Sequence, residues 1–390
     1  MRRIGICVSV LLAGCIHADE TTPPGPSRSP DSGIADGGGA DASDASQGQD
    51  GGGADQGGTS TDAGTTACNP TTPTLVASFE GPVQALAVDA THVFWISPPV
   101  SRFPGFYRAP KEGGEVTQIG GVTDFREDGI DAAQSVDGDG LFIVEAGRGG
   151  HESPGTVGRF DSRGEYTVLA EGARYPCGWV GHPRRVSTDA SRVYWIEQIG
   201  YTAIVPDPLD PSCDRNMPNE GARFLRSVSK RGGDARSPVR VPSLGMAVGA
   251  EFVYFTEGTT LYRLPKDGGT LQPWVTDLRD LRVGDPLLAM DGDRIYLGGE
   301  SVYAVDIPRG RVRSIADSSG AGSRVNQFAF DDRYVYWATA GEGGAIRRVP
   351  KSGGPSELVM PGGDATVAVD ERYLYWGQGG SVWRRCKSYR

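Results

Sequence analysis

The residues best suited to chemistry fall in one short stretch. Tyr175, Trp179, His182, Arg184 and Arg185 set aromatic faces beside imidazole and guanidinium groups, and His151 lies in a neighbouring polar segment. Together they could form an aromatic and basic platform for a ligand. The competing reading is structural, because aromatic side chains fill cores and cover loops, and Trp179 could pack beneath the long segment that follows it. A second set is acidic. Glu145, Glu197 and Glu257 stand at one position of a repeated segment, where adjacent carboxylates could hold a hard cation such as Ca2+ through oxygen ligands. Solvation, or pairing with nearby arginines, explains them more simply. Catalytic signatures are thin: the chain has no zinc-type histidine spacing, no nucleophile elbow and no phosphate loop.

These residues hang on a repeat, the first thing to seek in a chain of this kind. Seven segments align without gaps: LAVDATHVFW from Leu86, QSVDGDGLFI from Gln134, VSTDASRVYW from Val186, MAVGAEFVYF from Met246, LAMDGDRIYL from Leu288, FAFDDRYVYW from Phe328 and VAVDERYLYW from Val367. A reference column of Asp89, Asp137, Asp189, Gly249, Asp291, Asp331 and Asp370 divides each one. Two residues earlier stand only Ala or Ser, which suggests a backbone packed too closely for larger side chains. The triplets after it, such as Val193-Tyr194-Trp195, have the β-branched and aromatic composition of a buried strand. The aspartate between the two runs suits the first position of a tight turn.

A third strand follows and ends in a glycine pair, as in Tyr107-Arg108-Ala109-Pro110-Lys111-Glu112-Gly113-Gly114 and Tyr262 to Gly269. Paired glycines supply the positive φ of a hairpin turn. A short fourth strand completes the unit. With 58 Gly and 27 Pro in 390 residues, the composition favours many turns and short strands. The expected fold is all-β: a seven-bladed β-propeller of four-stranded antiparallel blades. The last repeat lacks a fourth strand, and Thr74 to Phe79 is a strand without an owner, so the N-terminal strand should close the last blade. Arg108, Arg159, Arg226, Arg263, Arg348 and Arg384 recur on the third strand, which points to stacking or ion pairing between blades.

The repeats resemble the YWTD-type propellers of lipoprotein receptors and, more closely, the YW…R-x-P-x-x-GG propeller lipoproteins of myxobacteria-like genomes. The resemblance covers Thr74 to Lys387. The receptor type has six blades, and the aromatic triplets of the second and fifth copies are weak, so six blades with one irregular repeat is the alternative.

At the N-terminus, Arg2 and Arg3 precede an apolar run from Ile4 to Leu12, the order of an export signal and too short to span a bilayer. It ends in Leu12-Ala13-Gly14-Cys15, which resembles the bacterial lipobox and implies lipidation of Cys15. Ile16 in place of Asp after that cysteine implies sorting to the outer membrane, with the side left open. The organisation expected is a signal peptide over 1–14, a lipidated cysteine and linker over 15–69, and the propeller over 70–390. The linker is rich in Gly, Asp, Ser and Thr with almost no large apolar residue, so it cannot offset its ordering entropy. As a Gly-rich coil it would span roughly 40 Å. It also carries much of the net charge of −10, leaving a mildly acidic domain without the concentrated basic surface that nucleic-acid binding requires.

Four cysteines remain for the exported domain, and three pairings are open. Position favours Cys68 with Cys386, locking the ring's closure, and Cys177 with Cys213, bracing two loops of the third blade. The Asp and Gly-Gly turns should share one face, and the long variable loops the other, where binding residues concentrate. The leading expectation is a monomeric cell-envelope lipoprotein, held to the membrane by its lipid. Its propeller would act as a non-catalytic binding or scaffold module for a protein, peptide or glycan, with no cofactor required. The runner-up is a metal-assisted lyase or hydrolase near blades 1 to 3, with His182 or His151 as base and the glutamates as ligands.

Overall fold

The computed structural model describes residues 71–97, 105–121, 134–137, 140–145, 154–161, 163–175, 179–201, 221–276, 278, 286–299, 301–317, 324–340, 344–362 and 366–387. Within them 28 strands form seven four-stranded antiparallel sheets. Six sheets run in simple chain order from an inner to an outer strand. The seventh joins Thr366–Val369, Tyr373–Gln378 and Ser381–Cys386 to the N-terminal strand Thr74–Ser78. There Leu75 pairs with Trp383 and Ser78 with Ser381, across a bulge between Leu75 and Ala77. The fold is an all-β seven-bladed propeller closed by its first strand. Pairing the first strand with the last gives the otherwise uncovered edge of the final sheet a partner.

The six-blade alternative is excluded. Leu141, Phe142 and Ile143 in the second blade, and Ile295, Tyr296 and Leu297 in the fifth, are fully buried and pair within sheets of their own. Apolar bulk in the second strand is what a blade requires, and tryptophan is one way to supply it.

The core lies between blades as well as within them. Ala85, Phe94, Ile96 and Phe106 of the first blade pack with Leu141, Ile143 and Phe160 of the second, and the same sandwiching recurs around the ring. Trp95, Trp195 and Trp337 are wholly buried; burial of a large apolar side chain contributes on the order of 1.5–3 kcal/mol.

Polar side chains then tie the blades together. In each well-formed turn one aspartate oxygen accepts two backbone N–H groups, as Asp331 does from Arg333 at 2.8 Å and Tyr334 at 2.7 Å. The other oxygen accepts the tyrosine five residues on, at 2.9 Å for Asp189–Tyr194, Asp331–Tyr336 and Asp370–Tyr375. It also meets the lysine that follows the third strand of the next blade. Lys266 reaches Asp189 at 2.6 Å, Lys351 reaches Asp291 at 2.5 Å, Lys387 reaches Asp331 at 3.0 Å, and Lys111 reaches back to Asp370 at 2.7 Å. Burial alone would raise the Asp189, Asp331 and Asp370 carboxyls, but the lysine, backbone and tyrosine donors around each hold it below the usual carboxylate range. Where the aspartate is replaced by Gly249, the lysine position of the next blade is Ile307.

The arginine column is structural. Arg384 donates to the Lys111 carbonyl at 2.8 Å and Arg159 to the Lys230 carbonyl at 3.5 Å, each crossing to the next blade. Arg263 lies 4.7 Å from the Phe252 ring centre and Arg348 4.4 Å from that of Tyr334. Between third and fourth strands Gly113 (φ 92°) and Gly114 (φ 141°) take the left-handed backbone expected of them.

Candidate functional site

The inner strands enclose an axial cavity of about 520 Å³. Its wall comes from five blades: 85–87, 185–188, 244–248, 286–290, and 327–328. The small column borders it. Ala87, Ser187, Ala247 and Ala289 face this space, so their short side chains leave the axis open as well as letting backbones approach. Leucine, methionine and phenylalanine residues also border it, several of them with side chains packed into the blade cores, and Arg185, Ser187, Thr188 and Gln327 are its residues with polar side chains.

Two of the polar members arrive by the same device. Among the described inner-strand pairings, a register shift occurs in the third blade between Pro183 and Val186 and in the sixth between Val325 and Gln327. An extra residue in one strand turns its neighbours to new directions. Arg185 sits in the first bulge, and Gln327 ends the second. Gln327 is then fixed at both ends: its Nε2 donates to the Leu86 carbonyl at 2.6 Å, and its Oε1 accepts from Val367 N at 3.3 Å.

The inner strand of the third blade, Trp179–Thr188, and its partner Arg192–Tyr201 each run for ten residues, well beyond most of their counterparts. This extension carries the sequence-predicted platform. Trp179 starts the strand opposite Tyr201, and His182 is buried opposite Gln198. Arg184 is half-buried beside Arg185. The Tyr175 ring sits 5.9 Å from that of Phe224. Burial, reinforced by the Glu197 charge and opposed by Arg226, pushes its phenol above the usual range. Of the predicted platform residues, Arg185 borders the cavity and His182 is buried. His151 lies outside the described residues.

The glutamates separate. Glu197 is fully buried; its Oε1 accepts Ala173 N at 2.6 Å and its Oε2 accepts Arg226 Nη1 at 3.1 Å. Its carboxylate occupies the space that a Cβ on Gly181 would take, so glycine is required there. Arg226 in turn lies 5.5 Å from the Trp195 ring centre and donates to the Glu171 carbonyl of the preceding blade. Glu257 is exposed at the end of its strand, and Glu145 ends a strand opposite Thr156. Among the described residues no three His, Cys, Asp or Glu side chains gather as a metal would need. Cys386 is disulfide-bonded; Cys15, Cys68, Cys177 and Cys213 lie outside the described residues.

Sequence reasoning missed Gln327, the axial methionines Met246 and Met290, and the lysine that joins each aspartate across blades. The last had a signal: Gly249 and Ile307, where both partners are missing together.

No protein-family model matches the chain, and no curated protein does. Solved structures do. The acylaminoacyl peptidase of Pyrococcus horikoshii is 12% identical, over 80% of this chain and 53% of that one, with a TM-score of 0.51. YCF48 bound to D1 peptide is 12% identical, over 82% and 98%, with a TM-score of 0.50. Saccharomyces cerevisiae Sqt1 is 11% identical, over 83% and 100%, at 0.46. At such identities the likeness concerns the fold. The chain is a β-propeller protein.

Proposed function

We propose that this chain is an outer-membrane lipoprotein, exported by residues 1–14 and anchored through Cys15, whose propeller binds a protein, peptide or glycan partner without acting on it. The observation that carries the binding part is the axial cavity of about 520 Å³ bordered by the inner strands of five blades, a size typical of ligand sites. YCF48, a structural neighbour, is described as bound to a peptide, which fits the same use of the fold. Glu197 serves Arg226 and Ala173, which removes one ligand from the metal set that the enzymatic alternative needs. We further propose that Cys68 is the partner of Cys386 and that Cys177 pairs with Cys213.

Two experiments test the reading. Labelled palmitate should enter the full-length protein and fail to enter Cys15→Ala; label retained by the variant overturns the anchor. Peptide and glycan arrays probed with the purified protein should give hits that weaken when Arg185 is changed to Gln. Hits indifferent to that change move the binding surface away from the axis.

A further inference from the structure

We propose that the seam between the sixth and seventh blades is a site for a tetrahedral oxyanion, phosphate or sulfate, free or carried on an organic body, held by Arg385 together with Arg348. A cavity of about 420 Å³ opens there, inside the range of roughly 300–1,000 Å³ typical of small-ligand pockets. It shares no lining residue with the axial cavity, so the site goes beyond the binding reading above and stands or falls separately.

The repeat shows what is unusual about this seam. On the third strand of every blade one residue pairs with the first member of the bulky triplet. In six blades that residue is Ala109, Phe160, Val228, Leu264, Val305 or Val349, each of them buried. In the seventh it is Arg385, opposite Leu374. Five other seams also have a bulge in the outer strand of the preceding blade. There the bulged residue joins the column residue of the next blade in one apolar cluster, as Val76 joins Ala109 and Ile315 joins Val349. In the sixth blade the bulged residue is Val359. Its counterpart is the arginine, and both line the cavity. Hydrocarbon that fills the other seams is thus replaced here by a space and a cation.

The charge lacks a counterpart. Arg385 donates from Nη2 to the Val359 carbonyl at 3.2 Å, and among the described residues no carboxylate pairs with it. One carbonyl engages a fraction of the five N–H groups of a guanidinium. The other five bulges do without an arginine, so the carbonyl alone does not call for one. Burial, with the nearby Arg348 charge, holds the Arg385 guanidinium below its ordinary value, a pressure that a bound anion relieves. Arg348 lines the same cavity and is paired with Glu357 at 2.8 Å. The Glu357 side chain is 52% exposed, whereas that of Arg348 is 15% exposed, so the carboxylate can turn to water and yield its place. A planar carboxylate is filled by one guanidinium fork. A tetrahedral oxyanion has oxygens for both, one arginine from each blade.

Equilibrium dialysis of the full chain against labelled inorganic phosphate, at constant ionic strength, tests the site. One phosphate per chain should bind saturably and be displaced by sulfate, while acetate and chloride compete at least ten-fold less well. Phenyl phosphate competing better than phosphate assigns the site to an ester; equal competition assigns it to the free ion. Arg385→Leu, which installs the residue that the fourth blade carries at this position, should weaken phosphate at least ten-fold. Glu357→Gln, which removes the competing carboxylate, should bind at least as tightly as the parent. If Arg385→Leu does not fold, the competition series on the parent decides. No saturable binding, unchanged affinity in Arg385→Leu, weaker binding in Glu357→Gln, or displacement by acetate or chloride as effective as by sulfate overturns the proposal and leaves Arg385 a cap for the Val359 carbonyl.

Discussion

Asp331→Asn and Asp89→Asn make the same chemical change in the same turn of two blades, and the structure predicts unequal costs. Asp331 caps two backbone N–H groups through Oδ1, and its Oδ2 accepts Tyr336 at 2.9 Å and Lys387 at 3.0 Å. The Lys387 and Asp331 side chains are only 2% and 5% exposed. Asparagine retains an oxygen for the turn but leaves the lysine charge buried beside a neutral group. Losing one member of a buried pair costs about 3–5 kcal/mol. Asp89 caps Thr91 and His92, each at 2.7 Å, yet the residue five positions on is Phe94, which has no hydroxyl, and the following blade has Ser162 where lysine would stand. Its replacement should cost no more than about 0.5–1.5 kcal/mol, the worth of an ordinary hydrogen bond. Urea unfolding followed by tryptophan fluorescence measures both. Adding Lys387→Met to Asp331→Asn should recover part of the loss, because removing both partners leaves no unpaired charge. Equal destabilisation by the two aspartate changes, or no recovery in the double variant, refutes the inter-blade pairing argument.

Acid should unfold the ring through these same carboxylates. Asp189, Asp331 and Asp370 are held below their ordinary pKa when folded, so their stabilisation is complete above about pH 4 and is lost as pH falls through the folded values. The urea midpoint should drop steeply below that pH in the parent and less steeply in Asp331→Asn; parallel curves would contradict this. Gln327→Ala removes two hydrogen bonds that reach Leu86 and Val367 and should cost on the order of 1–3 kcal/mol in the same assay. Deleting residues 74–78 strips the closing strand from the last blade; faster amide exchange over Ser381–Cys386 than over Ala345–Pro350 is the expected result. Reduction should lower the melting temperature of the parent, and should lower it less in Cys68→Ser if Cys386 is its partner.

The blade count was legible because each copy repeats chemistry that a strand needs: a small residue, a turn aspartate and a bulky triplet. Closure was legible because Thr74 to Ser78 had no other place and the last repeat lacked a strand. The site was less so. That Glu197 is buried depends on Gly181 leaving room for its carboxylate on the neighbouring strand and on Arg226 on the next strand, contacts set by register rather than by spacing. Arg185 was picked out for its charge beside aromatics, but it sits in a bulge, and no residue pattern announced the shift between Pro183 and Val186. The cavity exists because seven sheets of this width close at a particular radius. No single segment carries that information.

The claim that the axis is the binding surface can be tested by replacing the methionines with photo-methionine. Met246 and Met290 line the cavity, whereas Met360 lies on the outer strand Glu357–Pro361. Irradiation with a bound ligand, followed by peptide mapping, should place adducts at Met246 and Met290 and spare Met360. Adducts at Met360 with none at the two axial residues would contradict the account.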